Sequence, residues 1–534
     1  MKLLKNLLLI LVLLLPVEVF AQGVITRGYK ISRPTVVPRP ARANITKARK
    51  KRRPAKAVST DPVKLLTSKA NRGDAKSQYA LGLRYENGEG VEKNIAKAAE
   101  WYKKAVAKNY PDAFGHLGVL YYMGEDIEKD PYLAIDYWQK GVELGDAESM
   151  YWMASEYAGG ENIAKDRTKS VELLREAANK GHLEACIGLS TFYETGEVVG
   201  QDYDQVYLWC KKAYDMAPDN DDVLHWMGRC YYLGMGVGRD YSEAMRYFRK
   251  SAEAGDDNSA VMIGNMLANG EGFPQNYEQA LRWYKKACEL DPENADALNA
   301  LGYYYFNGQG VPIDQATGLE YLRKAADFGQ PNSQYDYGCF AFYGFQGDGV
   351  TIESNPQLGL KYLTKAAEGG NPLAMRTLAE IHMDGKNGIT KDYSKAVDWL
   401  NKGAAAGDDK CNTYLGMLYI QGSGLSQDFQ KAYEKFMLSA QKDDPDALAM
   451  LGVMYLNGMG VTQNIFTSFV YLKDAVEKGS NNGDVIFTLG MMYEMGYGTP
   501  IDLQKAVLYY NRAKALGHPQ ATEKLNTYTS TGHF

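Results

Sequence analysis

Two helical patterns alternate along most of the chain. In the first, as in "AKSQYALGLRYEN", small and apolar residues recur at intervals of three and four around a glycine; in the second, as in "IAKAAEWYKKAV", two small residues stand seven apart with an aromatic residue between them. Those intervals return to one face of an α-helix and do not suit a strand. With Gly82 as the reference, counterparts fall at Gly118, Ala154, Ser190, Gly228, Gly264, Gly302, Gly338, Ala379, Gly416, Gly452 and Gly490, at spacings of 36 to 41 residues. Twelve helix pairs therefore occupy residues 75–519. A chain of 534 residues exceeds what one shared core supports, and stacked units that bury their faces on their neighbours escape that limit.

The polar positions punctuate the repeat. Six residues after each reference position stands a glycine, from Gly88 to Gly496, placed to end the first helix with a positive φ. A second glycine two residues later is replaced by Asp126, Asn162 and Val198 in units two to four, and Val198 fits a left-handed backbone poorly. Asn94, Asp130, Asp202, Asp240, Asn276 and Asp428 stand where they can cap the second helix. On that helix, small residues such as Ala98 and Ala105 form a flat strip, with Trp101, Tyr137, Trp209, Tyr247, Trp283, Tyr321, Tyr362, Trp399, Tyr471 and Tyr509 as wedges between the strips. Unit eight carries an insertion across 344–357. Residues 61–74 read as an N-terminal capping half-repeat, and 520–534 as a C-terminal cap and tail.

"LGLRYENGEGVEKNIAKAAEWYKKA", Leu81 to Ala105, resembles a Sel1-like repeat, a relative of the tetratricopeptide repeat with a longer loop between its helices; "LGVMYLNGMGV" and "LGYYYFNGQGV" match as closely. The resemblance covers more than four fifths of the chain. It implies an all-α fold, a right-handed α/α superhelical solenoid, and a family role in holding other macromolecules together, commonly in bacterial envelopes and secretion or signalling complexes. It implies no activity by itself.

Charge changes the picture at the N-terminus. The formal net charge of −5 conceals residues 22–60, with twelve Lys or Arg and no Asp or Glu, ahead of a body with 46 basic and 64 acidic residues, a net of −18. Residues 1–21 read as a cleavable signal peptide: Lys2 and Lys5 precede the apolar run Leu7–Leu15, and Val19-Phe20-Ala21 suits a cleavage site. The expected location is periplasmic or secreted, with no transmembrane segment in the mature chain. Residues 22–60 form a basic, Pro-containing disordered arm whose cluster Lys47, Arg49, Lys50, Lys51, Arg52 and Arg53 suits an anionic surface, polymer or the acidic body. Behind a signal peptide, nucleic acid is the weaker reading of that cluster.

No catalytic centre stands out, and no cofactor is expected. The histidines lack metal-ligand spacing. One Ser-x-x-Lys string, Ser439 to Lys442, would suit a β-lactam-binding or other cell-wall-modifying enzyme, but Ser439 is that unit's small packing residue and no SDN or KTG partner accompanies it. Cys210 and Cys230 fall on adjoining antiparallel helices and are a candidate disulfide. On the first helices, positions −3, +1 and +4 from the reference point away from the small strip, onto the concave face of a tetratricopeptide-type stack. Tyr79, Tyr122, Tyr151, Tyr232, Tyr303, Phe306, Tyr335, Phe342, Met383, Met417, Ile420, Leu456 and Phe487 lie there. The expectation is a concave groove that binds a protein or glycan partner in the cell envelope, against the alternative that adjacent first helices bury these side chains.

Overall fold

A computed structural model describes residues 62–530, which divide between Pro292 and Glu293 into two compact units. The first contains a capping helix, Pro62–Asn71, and six helix pairs from Ala75–Asn87 with Ile95–Val106 to Asp257–Asn269 with Tyr277–Leu290. The second contains six pairs from Ala295–Asn307 with Gln315–Asp327 to Gly483–Met495 with Leu503–Ala515, followed by Pro519–Ser530. Each unit is an α/α solenoid of stacked helix pairs. The signal-peptide and basic-arm expectations lie outside the described residues.

Local chemistry sets the helix ends. The side chains of Asn94, Asp130, Asp202, Asp240, Asn276 and Asp428 each accept a backbone N–H two or three residues on, satisfying donors that the helix cannot. The first helices end as the glycine spacing predicts, with Gly88 at φ 71° and its N–H on the Arg84 carbonyl. Gly344 is the exception, at φ 80° and ψ 159°, because the chain leaves there for the insertion. The insertion forms a hairpin, β1 (Phe345–Gly347) antiparallel to β2 (Val350–Ile352), with Phe345 opposite Ile352. Phe345 packs on Phe340 and Phe306 at ring separations of 4.7 and 5.7 Å.

Within each pair the two helices close over the reference position. A Cβ added to Gly264 would lie 2.5 Å from the Tyr284 ring, and one added to Gly228 or Gly416 2.6 Å from Phe248 or Phe436. The residue that fills this contact lies one place beyond the expected wedge: Tyr102, Trp138, Phe248, Tyr284, Leu322, Leu363, Phe436, Leu472 and Tyr510 meet the reference glycines. The aromatic residues expected as wedges take a different job. Tyr137, Tyr247, Tyr321, Tyr471 and Tyr509 stack on Tyr121, Tyr231, Tyr305, Tyr455 and Tyr493 of their own pairs, at 5.6 to 5.8 Å and within 18° of parallel. Where the reference residue is Ala154, Ser190 or Ala379, the filling residue is Leu174, Cys210 or Leu400 rather than a ring. One methyl or hydroxymethyl fits only beneath a narrower side chain.

The second glycine of the loop approaches the preceding pair. A Cβ on Gly460 would sit 2.6 Å from the Phe429 carbonyl oxygen, and one on Gly498 2.7 Å from that of Ile465. Val198 holds this place in the fourth pair at φ 74° and is 49% exposed. A β-branched residue pays steric strain there without burial in return. Val198→Gly is expected to raise the stability of the first unit by about 1 kcal/mol. Urea unfolding would check the sign, and a destabilised variant would show that Val198 makes a compensating contact.

Candidate functional site

The first-helix face differs between the two units. In the second, Tyr335, Phe342, Met383 and Ile420 are 5%, 0%, 2% and 4% exposed, and Leu456 and Phe487 are buried with them. Phe342 shares a cluster with Ile381 of the next first helix, Met383 with Tyr414 and Leu418, and Ile420 with Val453 and Leu456. These four expected binding residues are therefore packing residues, because each first helix seats its outward side chains against the next. Tyr303, Phe306 and Met417 remain half-buried; the Tyr303 hydroxyl donates to Asp336, whose carboxyl is pushed up to about 6 by burial.

In the first unit the face stays open. Tyr79, Tyr122, Tyr151 and Tyr232 are half-buried, and Trp152 and Trp226 stand beside them. Trp152 stacks on the buried Trp138 at 5.4 Å and 9°, with Tyr122 6.1 Å away. Carboxylates line this surface. Position −6 of four consecutive first helices carries Asp112, Glu148, Glu184 and Asp222, the first, third and fourth of them exposed. Their place in the first helical turn favours negative charge in each helix taken alone.

All four acids bear on the tyrosine phenols of this face. Burial pushes the Tyr79 phenol up, and Asp112, Asp146 and Glu148 add to the shift; burial likewise takes Tyr151 to about 12, with Glu184 and Glu148 next. Asp222, although its side chain reaches solvent, is raised to about 6, first by partial desolvation and then by Asp221 and Asp256. Glu148 goes the other way. Desolvation opposes its ionisation, but the hydrogen bond from His182, with His116 and Trp152, holds it at about 2. His182 Nε2 lies 3.1 Å from Glu148, its Nδ1 accepts the Ala185 N–H at 3.3 Å, and its ring stacks on Tyr151 at 4.7 Å. One side chain thus caps a helix, pairs with the preceding repeat and orders a tyrosine. Sequence reasoning on positions −3, +1 and +4 missed both the acid row and this cap, although the acids at −6 are visible once the repeats are aligned.

The remaining candidates fall elsewhere. Ser439 is buried and bonded to Thr413 Oγ1 at 2.7 Å and Asp444 Oδ2 at 3.0 Å, so its hydroxyl belongs to a helix-start network. Cys411 is buried opposite Gly403, as a small packing residue should be. Cys210 and Cys230 are both thiols, buried in one cluster with Val206, Leu224 and Met227. No described helix is long and apolar enough to cross a membrane, and no metal-ligating cluster occurs among the described residues.

Comparison with known proteins follows the same boundaries. The Sel1 repeat model matches eleven segments, residues 75–110, 116–146, 147–182, 183–218, 222–256, 295–328, 331–371, 372–408, 410–434, 445–480 and 486–518. A TPR repeat model matches 275–308, across the junction that the Sel1 matches leave open. A protective antigen of uropathogenic Escherichia coli strains, displaying an SLR fold, is similar at 25% identity and a TM-score of 0.54, over 88% of this chain and 90% of that one. A Sel1 repeat protein from Oxalobacter formigenes is 27% identical over 60% of this chain and 90% of its own, at a TM-score of 0.43. Matches over more than half of its length, in register with the helix pairs, make the chain a member of the Sel1 repeat family.

Proposed function

We propose that this chain is an exported, non-enzymatic scaffold that holds a protein partner on the first-helix face of residues 75–256, and that the partner presents an extended basic segment. The row Asp112, Glu148, Glu184 and Asp222, interleaved with half-buried tyrosine and tryptophan, carries this reading. Aromatic rings supply contact area at small entropic loss, and regularly spaced carboxylates select cationic side chains and speed encounter. A neutral polysaccharide would use the rings but leave the carboxylates without a role, so a basic protein segment fits better than a glycan. The packing role of Ser439 supports a scaffold over a β-lactam-binding enzyme. Export rests on Lys2, Lys5 and the apolar run to Leu15, and the basic cluster Lys47–Arg53 would add attachment to an anionic envelope surface.

Calorimetric titration with an oligolysine peptide tests the surface. The variant Asp112→Asn/Glu184→Gln/Asp222→Asn removes three rim charges worth about 0.3–1 kcal/mol each, and binding is expected to weaken about 5- to 160-fold. Equal affinity in variant and parent would remove the acid row from the function. The pH dependence has a defined sign. Asp222 loses its proton as pH rises through about 6, whereas Glu148 is already ionised. Affinity for the peptide should therefore increase between pH 5 and 7 and fall only partly below that range. A profile flat across pH 5–7 would contradict the part given to Asp222.

A further inference from the structure

The fourth and fifth helix pairs meet through two cysteines that break the repeat pattern. Cys210 occupies the position that elsewhere carries Tyr102, Trp138, Leu174, Phe248 or Tyr284 over the reference residue. Cys230 stands two places beyond Gly228, where other repeats have Leu120, Phe192, Met266, Ile381 or Leu418. Two sites that otherwise take large core side chains thus hold cysteine at the same junction, one on helix Tyr203–Met216 and one on helix Asp221–Leu233. Both are fully buried in one cluster with Val206, Leu224 and Met227.

We propose that Cys210 and Cys230 are a dithiol that oxidises to a disulfide, tying the fourth helix pair to the fifth. The two thiols share one buried cluster at the junction of the two helices, and Cys210 donates to the Ser190 hydroxyl at 3.3 Å. In the closed fold Cys230, Ser190 and Arg229 favour the Cys210 thiolate against the cost of its burial.

The oxidant is a low-molecular-weight disulfide such as oxidised glutathione. The Cys210 thiolate attacks one of its sulfurs, releasing one thiolate and leaving a mixed disulfide on Cys210. The Cys230 thiolate then attacks the Cys210 sulfur and expels the second thiolate. One protein S–S bond forms as the oxidant's S–S bond breaks, and the two cysteine protons end on the two released thiols. Because neither sulfur reaches solvent in the closed fold, the exchange belongs to folding or to local opening, and the closed bond is shielded from soluble reductant. Cys288 and Cys339 are only half-buried, and Cys186 and Cys411 are the remaining buried thiols.

The test refolds the urea-unfolded full chain in a glutathione redox buffer, quenches it in acid and alkylates it under denaturing conditions. Intact mass should show four alkylated cysteines out of six and a link between Cys210 and Cys230 in the digest. Cys210→Ala or Cys230→Ala should leave all five remaining cysteines alkylated, whereas Cys186→Ala should keep the link. A reductant should lower the urea midpoint of the oxidised parent and leave that of Cys210→Ala/Cys230→Ala unchanged. Six alkylated cysteines in the parent, or a link that uses Cys186, would overturn the proposal; the parent digest alone decides this even if a variant does not refold.

Discussion

The contact on which each repeat depends is the approach of its two helices at the reference position. A glycine there lets a ring or a leucine from the partner helix lie on bare backbone, as Gly264 does under Tyr284. The ring is fully buried and its hydroxyl donates to Asn265 at 2.8 Å, so the contact removes apolar area from water without stranding a polar atom. Everything outward follows from this closeness. The loop turns at a left-handed glycine, the next helix starts on an Asp or Asn, and the small strip seats that helix on both sides: Gly318, at the Ala98 position, lies against Phe306 of its own pair, and Gly141, at the Ala105 position, against Ser149 of the next.

The same frame carries two different surfaces. In the second unit the outward positions of the first helices hold Phe342, Met383 and Ile420, which fill the gaps between successive first helices and close the face. In the first unit those positions hold tyrosines that remain half-buried, and the helix starts hold acids, among them Asp222, whose carboxyl is raised first by desolvation and then by its neighbours Asp221 and Asp256. A stack that kept such a row for solubility alone would not need tryptophan and tyrosine beside it. His182 pairs directly with Glu148 and offsets the cost of its desolvation, so that carboxylate stays ionised at neutral pH.

Period, helix ends and repeat number were legible in the sequence because each is set by local chemistry: glycine at positive φ, carboxamide or carboxylate at the helix start, and small residues seven apart. The identity of the wedge was not, because Trp101 and Tyr102 are adjacent and both aromatic. The structure buries Tyr102 completely and leaves Trp101 half-buried with the Lys104 ammonium 3.8 Å from its ring centroid. The usable signal was complementarity: Ala154, Ser190 and Ala379 coincide with Leu174, Cys210 and Leu400, never with a ring. The binding face was harder to read, since an outward tyrosine and an outward phenylalanine follow the same period. Only the neighbouring repeat decides whether water or another helix meets them, and the acid row lay at a position outside the pattern first considered.

If closeness at the reference position is what holds each pair, its size limit must be shared between the two helices. A double-mutant cycle on Gly416 and Phe436 measures that sharing by urea unfolding of the second unit. Gly416→Ala alone places a Cβ 2.6 Å from the ring and should cost about 2 kcal/mol. Combined with Phe436→Leu, which recreates the pairing found at Ala379 and Leu400, the added alanine should cost at least about 1 kcal/mol less than it does alone. Costs that add to within about 0.3 kcal/mol would contradict the account and place the stability of the repeat elsewhere.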